Sequence, residues 1–249
     1  MLDLSQTALT FAFAIFAIGG FTKGVLGVGL PMVVLPLVSI FAPIPEVVAI
    51  MYFSILASNL WQALRGGQMV AAFKRFWPLL LVLSCTVWAG TFSLVRLDQT
   101  VVATILGLAI ATFSAISLAS PRFRIPQRLA RPLGLCAGAG GGFFGGMALI
   151  GGPPVIMYFV ALHLKKEEFI GSIGLVYLMT LIPAGFAFVH FGVLETRHVV
   201  PGLVSLVPTF AGLMVGQWVR GRINQDRFRK ILLGTMILIG FNLIRRGLF

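Results

Sequence analysis

Long apolar segments recur along the whole chain, from Thr7 to Phe249, and only short polar breaks separate them. A helix that spans a bilayer needs about 20 mostly apolar residues, and stretches of that kind appear repeatedly here. Charged residues make up 10% of the chain, whereas an ordinary soluble domain is about a quarter charged. The pattern therefore predicts an all-α polytopic membrane protein.

The sequence also matches itself at an offset of 122 residues. The segment that begins at Gly19, GGFTKGVLGVGLPMVVL, aligns without a gap with the segment that begins at Gly141, GGFFGGMALIGGPPVIM. Later residues pair at the same offset: Glu46 with Glu168, Arg75 with Arg197, and Gly90 with Gly212. We therefore predict a single domain, 1–249, with two homologous halves, 1–120 and 132–249, joined by a basic cytoplasmic connector at 120–132.

The number of spans decides how the halves are related. Hydropathy predicts about eight spans, and up to about ten if the glycine-rich segment that opens each half counts as two. Each such segment is either a helix broken by glycine and proline or a helical hairpin. An even number of spans per half makes the repeats parallel, whereas an odd number makes them inverted.

Loop charge favours inverted repeats. Lys and Arg concentrate in short cytoplasmic loops, and the loops that contain Arg75, Arg128 and Arg227 are the most basic in this chain. The inverted arrangement places all three loops inside, whereas the parallel arrangement places the third outside. The Arg245-Arg246 pair, which the inverted arrangement places outside, is evidence against it.

The glycine-rich segments suggest a substrate pathway. In a helix interior, Gly costs about 1 kcal/mol and Pro about 3 kcal/mol relative to Ala, and irregular backbone at membrane depth is tolerated only where it is buried in protein or lines a wet cavity. Matched broken segments point to the binding site of a transporter, and free helix N-termini attract anions. The alternative is close helix packing through small residues, which we favour for any single glycine.

The candidate substrate-binding residues come from these segments and from one further helix. Lys23 is the only charged residue in the first segment, and an ionisable group within the membrane predicts a function. It either attracts an anion, pairs with a carboxylate, or extends to the interface. Asn59 shares a helical face with Gln62 and is a candidate for lining the path. The predicted substrate-binding residues are Lys23, Gly24, Gly27, Gly29, Pro31, Asn59, Gly146, Gly151, Gly152 and Pro153.

The two segments, GFTKGVLGVGLPMVVLPLV and GGFFGGMALIGGPPVIMYF, resemble those of the sulfite exporter TauE/SafE family. The resemblance covers nearly the whole chain, and it implies a multipass inner-membrane transporter of sulfite, a sulfonate or another sulfur-containing or organic anion. Val28 and Leu30 stand where many members are richer in glycine, which bears on the substrate more than on the fold. The positions that carry the resemblance are Gly24, Gly27, Gly29 and Pro31, with Gly146, Gly151, Gly152 and Pro153.

Together these features predict a secondary transporter, an exporter or permease, that works by alternating access around a midplane site between the two segments. Its expected partners are a small anion and the lipid bilayer, with a proton or sodium ion left open as the coupling ion and no oligomeric state predicted. No cofactor or metal is expected. Nucleic acid is not an expected partner either, because the basic residues fall in short loops and not on a soluble face. The alternative function is a non-transporting membrane scaffold or assembly subunit.

Catalysis is not expected, and no catalytic residue is predicted. The best candidate pair is Ser172 and His190, which lie eighteen residues apart on one predicted helix. That separation is about 27 Å along the helix axis, far beyond the hydrogen-bond reach that a nucleophile and its base require. The chain also lacks a metal-binding motif of the H-E-x-x-H type.

Overall fold

The structure is a computed structural model, and it describes residues 6–66, 69–119 and 125–222 together with the positions 224, 227, 231, 234, 237 and 238. Every regular element in those residues is helical, which confirms the all-α prediction. The helices are α1 (Gln6–Leu26), α2 (Leu30–Val38), α3 (Ile44–Gly66), α4 (Met69–Arg96), α5 (Gln99–Ala119), α6 (Gln127–Ala148), α7 (Gly152–Ala161), α8 (Lys166–His190), α9 (Val199–Val204) and α10 (Leu206–Arg220), with a short 3-10 turn at Thr196–His198.

Two predicted regions fall partly outside the described residues. Residues 120–124 of the predicted connector lie outside them, as does the end of the second half from residue 239 onward. The rest of the predicted connector is mostly helical, because α6 begins at Gln127. Arg128 and Arg131 therefore lie on the first turns of a helix.

Four described segments are long and apolar enough to cross a bilayer: Ile44–Gln62, Val70–Arg96, Glu168–His190 and Thr196–Arg220. A hydrocarbon core about 30 Å thick requires about 20 such residues. The protein is therefore a multi-pass membrane protein. Whether the full count reaches the predicted eight to ten spans stays a prediction, as does the inverted relation of the halves.

Each glycine-rich segment forms a helical hairpin, which is one of the two predicted forms. In the first hairpin α2 runs back along α1, so that Gly19 packs against the side chain of Val34. In the second, Gly141 of α6 packs against the side chain of Val155 in α7. The return helices have 9 and 10 residues, and at about 1.5 Å per residue each reaches only about halfway through the hydrocarbon core.

The helix boundaries repeat at the offset of the sequence match. α1 and α6 end 122 residues apart, α2 and α7 begin 122 residues apart, and α3 and α8 begin 122 residues apart. The hydrogen bonds that close the first helix of each hairpin also correspond. The amide of Gly27 donates to the carbonyl of Lys23, and the amide of Leu149 donates to the carbonyl of Gly145.

Glycines allow the backbones of two helix pairs to approach closely. Gly24 of α1 lies against the carbonyl oxygen of Leu213 in α10, and Gly146 of α6 lies against the carbonyl oxygen of Val87 in α4. An added Cβ at either glycine overlaps with that oxygen, so neither crossing has room for a side chain. Small residues at such crossings are typical of membrane helix packing, because they bring the backbones into contact.

These crossings correct one part of the sequence alignment. Gly90 of α4 lies against the carbonyl oxygen of Phe143, and Gly216 of α10 lies against the carbonyl oxygen of Phe21. Phe21 and Phe143 are equivalent at the offset of 122. Gly90 therefore corresponds to Gly216, one helical turn beyond Gly212. The second half has an additional turn before this crossing, and the break between α9 and α10 lies in that stretch.

Two ion pairs join the halves at opposite ends of α3. Glu46 in the first turn of α3 pairs with Arg197, which lies in the 3-10 turn before α9. Arg75 of α4 pairs with Glu168 in the first turn of α8. Because α4 begins just after α3 ends, the second pair lies at the far end of α3 from the first.

Helices α3 and α8 pack against each other between the hairpins, and α8 is the most buried of the four membrane-length segments. Their interior faces bring polar side chains of α3, including Asn59, close to α8, where Tyr177 is also buried. The last turn of α1 reaches the same region. This meeting of α1, α3, α7 and α8 is the centre of the candidate site.

Candidate substrate site

The tips of both hairpins contain left-handed backbone. Gly27 has φ 78° and Gly29 has φ 111°, and Leu149 in the second tip has φ 57°. This conformation costs an ordinary L-residue about 1–2 kcal/mol, and glycine avoids that cost, so the first tip depends on its glycines. Pro31 and Pro153 each occupy the first turn of the return helix, where a missing N–H group breaks no helical hydrogen bond.

Lys23 lies in the last turn of α1, and its side chain is buried, at 4% exposed. Its Nζ donates a hydrogen bond of 2.6 Å to Oδ1 of Asn59 in α3. The amide nitrogen of Asn59 donates in turn to the carbonyl of Ile55, which holds the amide oxygen toward Lys23. Within the described part of the chain, no carboxylate forms an ion pair with Lys23. The buried amine of Lys23 thus has a neutral amide as its acceptor.

Tyr177 of α8 completes this buried polar cluster. The Nζ of Lys23 lies 5.4 Å from the centroid of the Tyr177 ring, within the range of a cation–π interaction. The Tyr177 hydroxyl is buried and has no hydrogen-bond partner among the described residues. Buried hydroxyl groups are normally paired, so this unpaired group requires an explanation.

The second hairpin reaches the cluster through Gly152, the first residue of α7. An added Cβ at Gly152 collides with the Tyr177 hydroxyl oxygen, and it also lies close to the side chain of Met32 in α2. The absence of a side chain at Gly152 therefore lets the start of α7 lie directly beside the hydroxyl group. Residues of both hairpins and of both long central helices meet within this cluster, which we call the Lys23 cluster (Lys23, Asn59, Gly152 and Tyr177).

Several predicted site residues lie away from the Lys23 cluster. Gly24 and Gly146 lie at the helix crossings described above, and Gly151 lies against the carbonyl oxygen of Gly141 within its own hairpin. Gly27 lies beside Ile170 of α8. These contacts match the packing interpretation that the sequence favoured for single glycines.

Two polar residues of the long helices are not among the predicted substrate-binding residues. Gln62, which shares a face with Asn59, donates from Nε2 to the carbonyl of Ile170 at 2.7 Å and so links α3 to α8. Tyr177 is absent from the predicted site residues. Its equivalent in the first half is Ile55, so the repeat carries no signal there, and the only available signal is a hydroxyl group within a long apolar segment.

The family model for the sulfite exporter TauE/SafE family matches residues 11–243, which is nearly the whole chain. No curated protein and no solved structure matches the chain. The match includes both hairpins and the Lys23 cluster, and it confirms the resemblance that the glycine-rich segments carry. The protein therefore belongs to the sulfite exporter TauE/SafE family of membrane transporters.

Proposed function

We propose that this protein is a secondary transporter, an exporter or permease, of a small anion: sulfite, a sulfonate, or another sulfur-containing or organic anion. The family description supports sulfite as the first substrate to test. The observation that carries the proposal is the buried ammonium group of Lys23, whose hydrogen-bond acceptor is the neutral amide of Asn59. A buried charge is costly unless it is paired, and a bound anion supplies the missing negative charge.

The Lys23 cluster offers an oxyanion several donors. An ammonium group has three N–H donors, and the hydrogen bond to Asn59 uses one of them. The hydroxyl of Tyr177, which has no hydrogen-bond partner among the described residues, adds another donor. The start of α7 at Gly152 adds the positive end of a helix dipole, which favours negative charge. Hydrogen bonds to a charged group are the strong class, so an anion gains more from these donors than a neutral solute.

Alternating access with inverted repeats fits the pattern of ion pairs between the halves. Glu46 is equivalent to Glu168, and Arg197 is equivalent to Arg75, so the two pairs are one interaction with its partners exchanged. The two pairs lie at opposite ends of α3. A rotation that superposes one half of the chain on the other, and so one ion pair on the other, therefore also exchanges the two faces of the membrane. An axis in the membrane plane has this property and is typical of transporters with inverted repeats.

The transport cycle that we propose separates one ion pair at a time. With both pairs formed and Lys23 buried, the structure corresponds to an occluded conformation. Opening toward either side leaves the glycine crossings of α1 with α10 and of α4 with α6 in place and moves the remaining contacts around the hairpin tips. We place the end that contains Arg75 and the start of α6 in the cytoplasm, because Lys and Arg concentrate in cytoplasmic loops, and we place the protein in the inner membrane of the cell.

Anion flux into and out of proteoliposomes tests this function. The assay compares sulfite, sulfate, thiosulfate, a small sulfonate and an organic acid, each with and without a proton or sodium gradient. We expect saturable flux of at least one anion and its loss in Lys23→Ala and in Gly29→Leu. The matched control is Lys165→Ala, which removes an exposed lysine just before α8 and leaves flux unchanged.

A second outcome supports the alternative function. If no anion crosses in either direction with any gradient, while the protein is folded and inserted, the transporter proposal is wrong. A non-transporting scaffold or assembly subunit is then the better interpretation of the same fold.

A further inference from the structure

Residues of α4, α6 and α7 line a pocket of about 410 Å³ near the first turns of α4 and α6. Its lining includes the polar residues Arg75, Gln127 and Arg131 and the apolar residues Trp77 and Leu162. The pocket does not include any residue of the Lys23 cluster. It therefore combines positively charged and apolar lining residues at one end of the helical bundle.

The positive charge of this pocket depends mainly on Arg131. Arg75 already forms an ion pair with Glu168 at the pocket edge. Arg131 is exposed and forms no ion pair with any described carboxylate. Gln127 is the first residue of α6, and the first N–H groups of a helix lack partners within it and favour an anion. A negatively charged group in the pocket therefore has Arg131 as a free partner.

The apolar residues that line the pocket favour a ligand that has an apolar part as well as a negative charge. Trp77 is 49% exposed, and tryptophan side chains at the surface of membrane helices concentrate at the level of the lipid headgroups. Leu162 and Pro78 continue the apolar surface inside the pocket. Basic pockets between membrane helices on the cytoplasmic side are suited to anionic lipid headgroups.

We propose that this pocket binds the phosphate group of an anionic phospholipid, with the phosphate against Arg131 and the start of α6 and the acyl chains along the apolar lining residues, which include Trp77. A free oxyanion presents the same chemistry to Arg131, but it leaves the apolar lining residues in contact with water. The proposal is independent of the transported substrate, because the Lys23 cluster contributes nothing to this pocket.

Native mass spectrometry of the purified full-length protein, with added phosphatidylglycerol or with phosphatidylethanolamine of the same acyl chains, tests the proposal. We expect phosphatidylglycerol to bind more tightly. A hydrogen bond to a charged group is worth about 1.5–3 kcal/mol, so Arg131→Gln is expected to weaken phosphatidylglycerol binding about tenfold or more, whereas Arg131→Lys retains most of it. The matched control, Arg128→Gln, removes an exposed charge from the same helix outside the pocket and is expected to lose only the non-specific attraction of one charge, about fivefold or less.

Two results overturn the proposal. Equal losses in Arg131→Gln and Arg128→Gln mean that the lipid responds to the overall charge of the surface and not to the pocket. Displacement of the lipid by inorganic phosphate or sulfite at the same concentration means that a free oxyanion is the ligand. A melting temperature of Arg131→Gln equal to that of the parent protein shows that a change in binding does not come from unfolding.

Discussion

Glu46 in the first turn of α3 forms an ion pair with Arg197 of the other half, with 3.0 Å between Oε1 and Nη1. The equivalent residues of the opposite halves, Glu168 and Arg75, form the second pair. The sequence match aligned Glu46 with Glu168 and Arg75 with Arg197. It did not reveal that each glutamate forms an ion pair with the arginine of the opposite half. This exchange of partners supports our proposal that the repeats are inverted.

Single cysteines test the inverted arrangement directly. In a chain with Cys85 and Cys136 replaced by alanine, we expect Thr196→Cys and Arg128→Cys to react with a membrane-impermeant maleimide from opposite sides of the membrane. Both positions are exposed at helix ends. Inverted repeats place them on opposite faces, whereas parallel repeats place them on the same face. Labelling of both from one side of sealed vesicles is therefore incompatible with our model.

Lys23→Met is expected to separate function from stability. The substitution leaves Oδ1 of Asn59 without its donor, at a cost of about 1–3 kcal/mol, but it also removes a buried charge for which no described residue supplies a carboxylate partner, and the relief of that burial offsets the loss. We therefore expect an unchanged or higher melting temperature together with anion flux at least about tenfold lower, from the loss of a charged hydrogen bond worth about 1.5–3 kcal/mol. Melting curves in detergent and flux in proteoliposomes measure the two effects. Normal flux in this variant requires a substrate site elsewhere.

Tyr177→Phe is expected to weaken substrate binding without changing stability. The hydroxyl has no partner among the described residues, so its removal breaks no bond of the protein, whereas a hydrogen bond to an anion is worth about 1.5–3 kcal/mol. This corresponds to about a tenfold or larger increase in KM for flux. The control is Tyr52→Phe, because the Tyr52 hydroxyl donates to the carbonyl of Leu181. It is expected to lose about 1 kcal/mol of stability and to keep its KM.

The opposite pattern contradicts the role that we assign to Tyr177. If Tyr177→Phe melts at a lower temperature and transports with an unchanged KM, its hydroxyl stabilises the fold and does not contact the anion.

Gly90→Ala and Gly216→Ala are expected to destabilise the protein by similar amounts. Each added methyl group overlaps with a backbone carbonyl oxygen, of Phe143 and of Phe21 respectively, and overpacking costs about 1–3 kcal/mol. The control is Gly221→Ala at the end of α10, where the nearest atom to an added Cβ is 3.5 Å away. Unfolding by denaturant in detergent measures all three. If only one of Gly90→Ala and Gly216→Ala loses stability to unfolding, the two helix crossings are not equivalent.

Local sequence was sufficient for the class of protein and for the tips of the hairpins, whereas the division of the chain into two halves stays a prediction. The apolar segments have the length that a bilayer requires, and glycine and proline interrupt a helix through the conformation of their own backbone. Neither effect depends on distant residues. For that reason the breaks after Leu26 and Ala148 coincide with the glycine-rich segments.

Only the tertiary structure decided which of the conspicuous residues act together. Gly24 and Lys23 are neighbours in sequence, but Gly24 contacts α10 whereas Lys23 contacts Asn59 of α3. Tyr177 joins Lys23 from a helix in the other half. A lipid-facing surface and a buried surface have the same apolar composition, so hydropathy does not specify which face of a helix meets which neighbour. The close fit of the backbones at the glycine crossings fixes the pairing of α1 with α10 and of α4 with α6. Contacts between distant helices then place the buried amine of Lys23 over the ring of Tyr177, whose hydroxyl has no hydrogen-bond partner among the described residues.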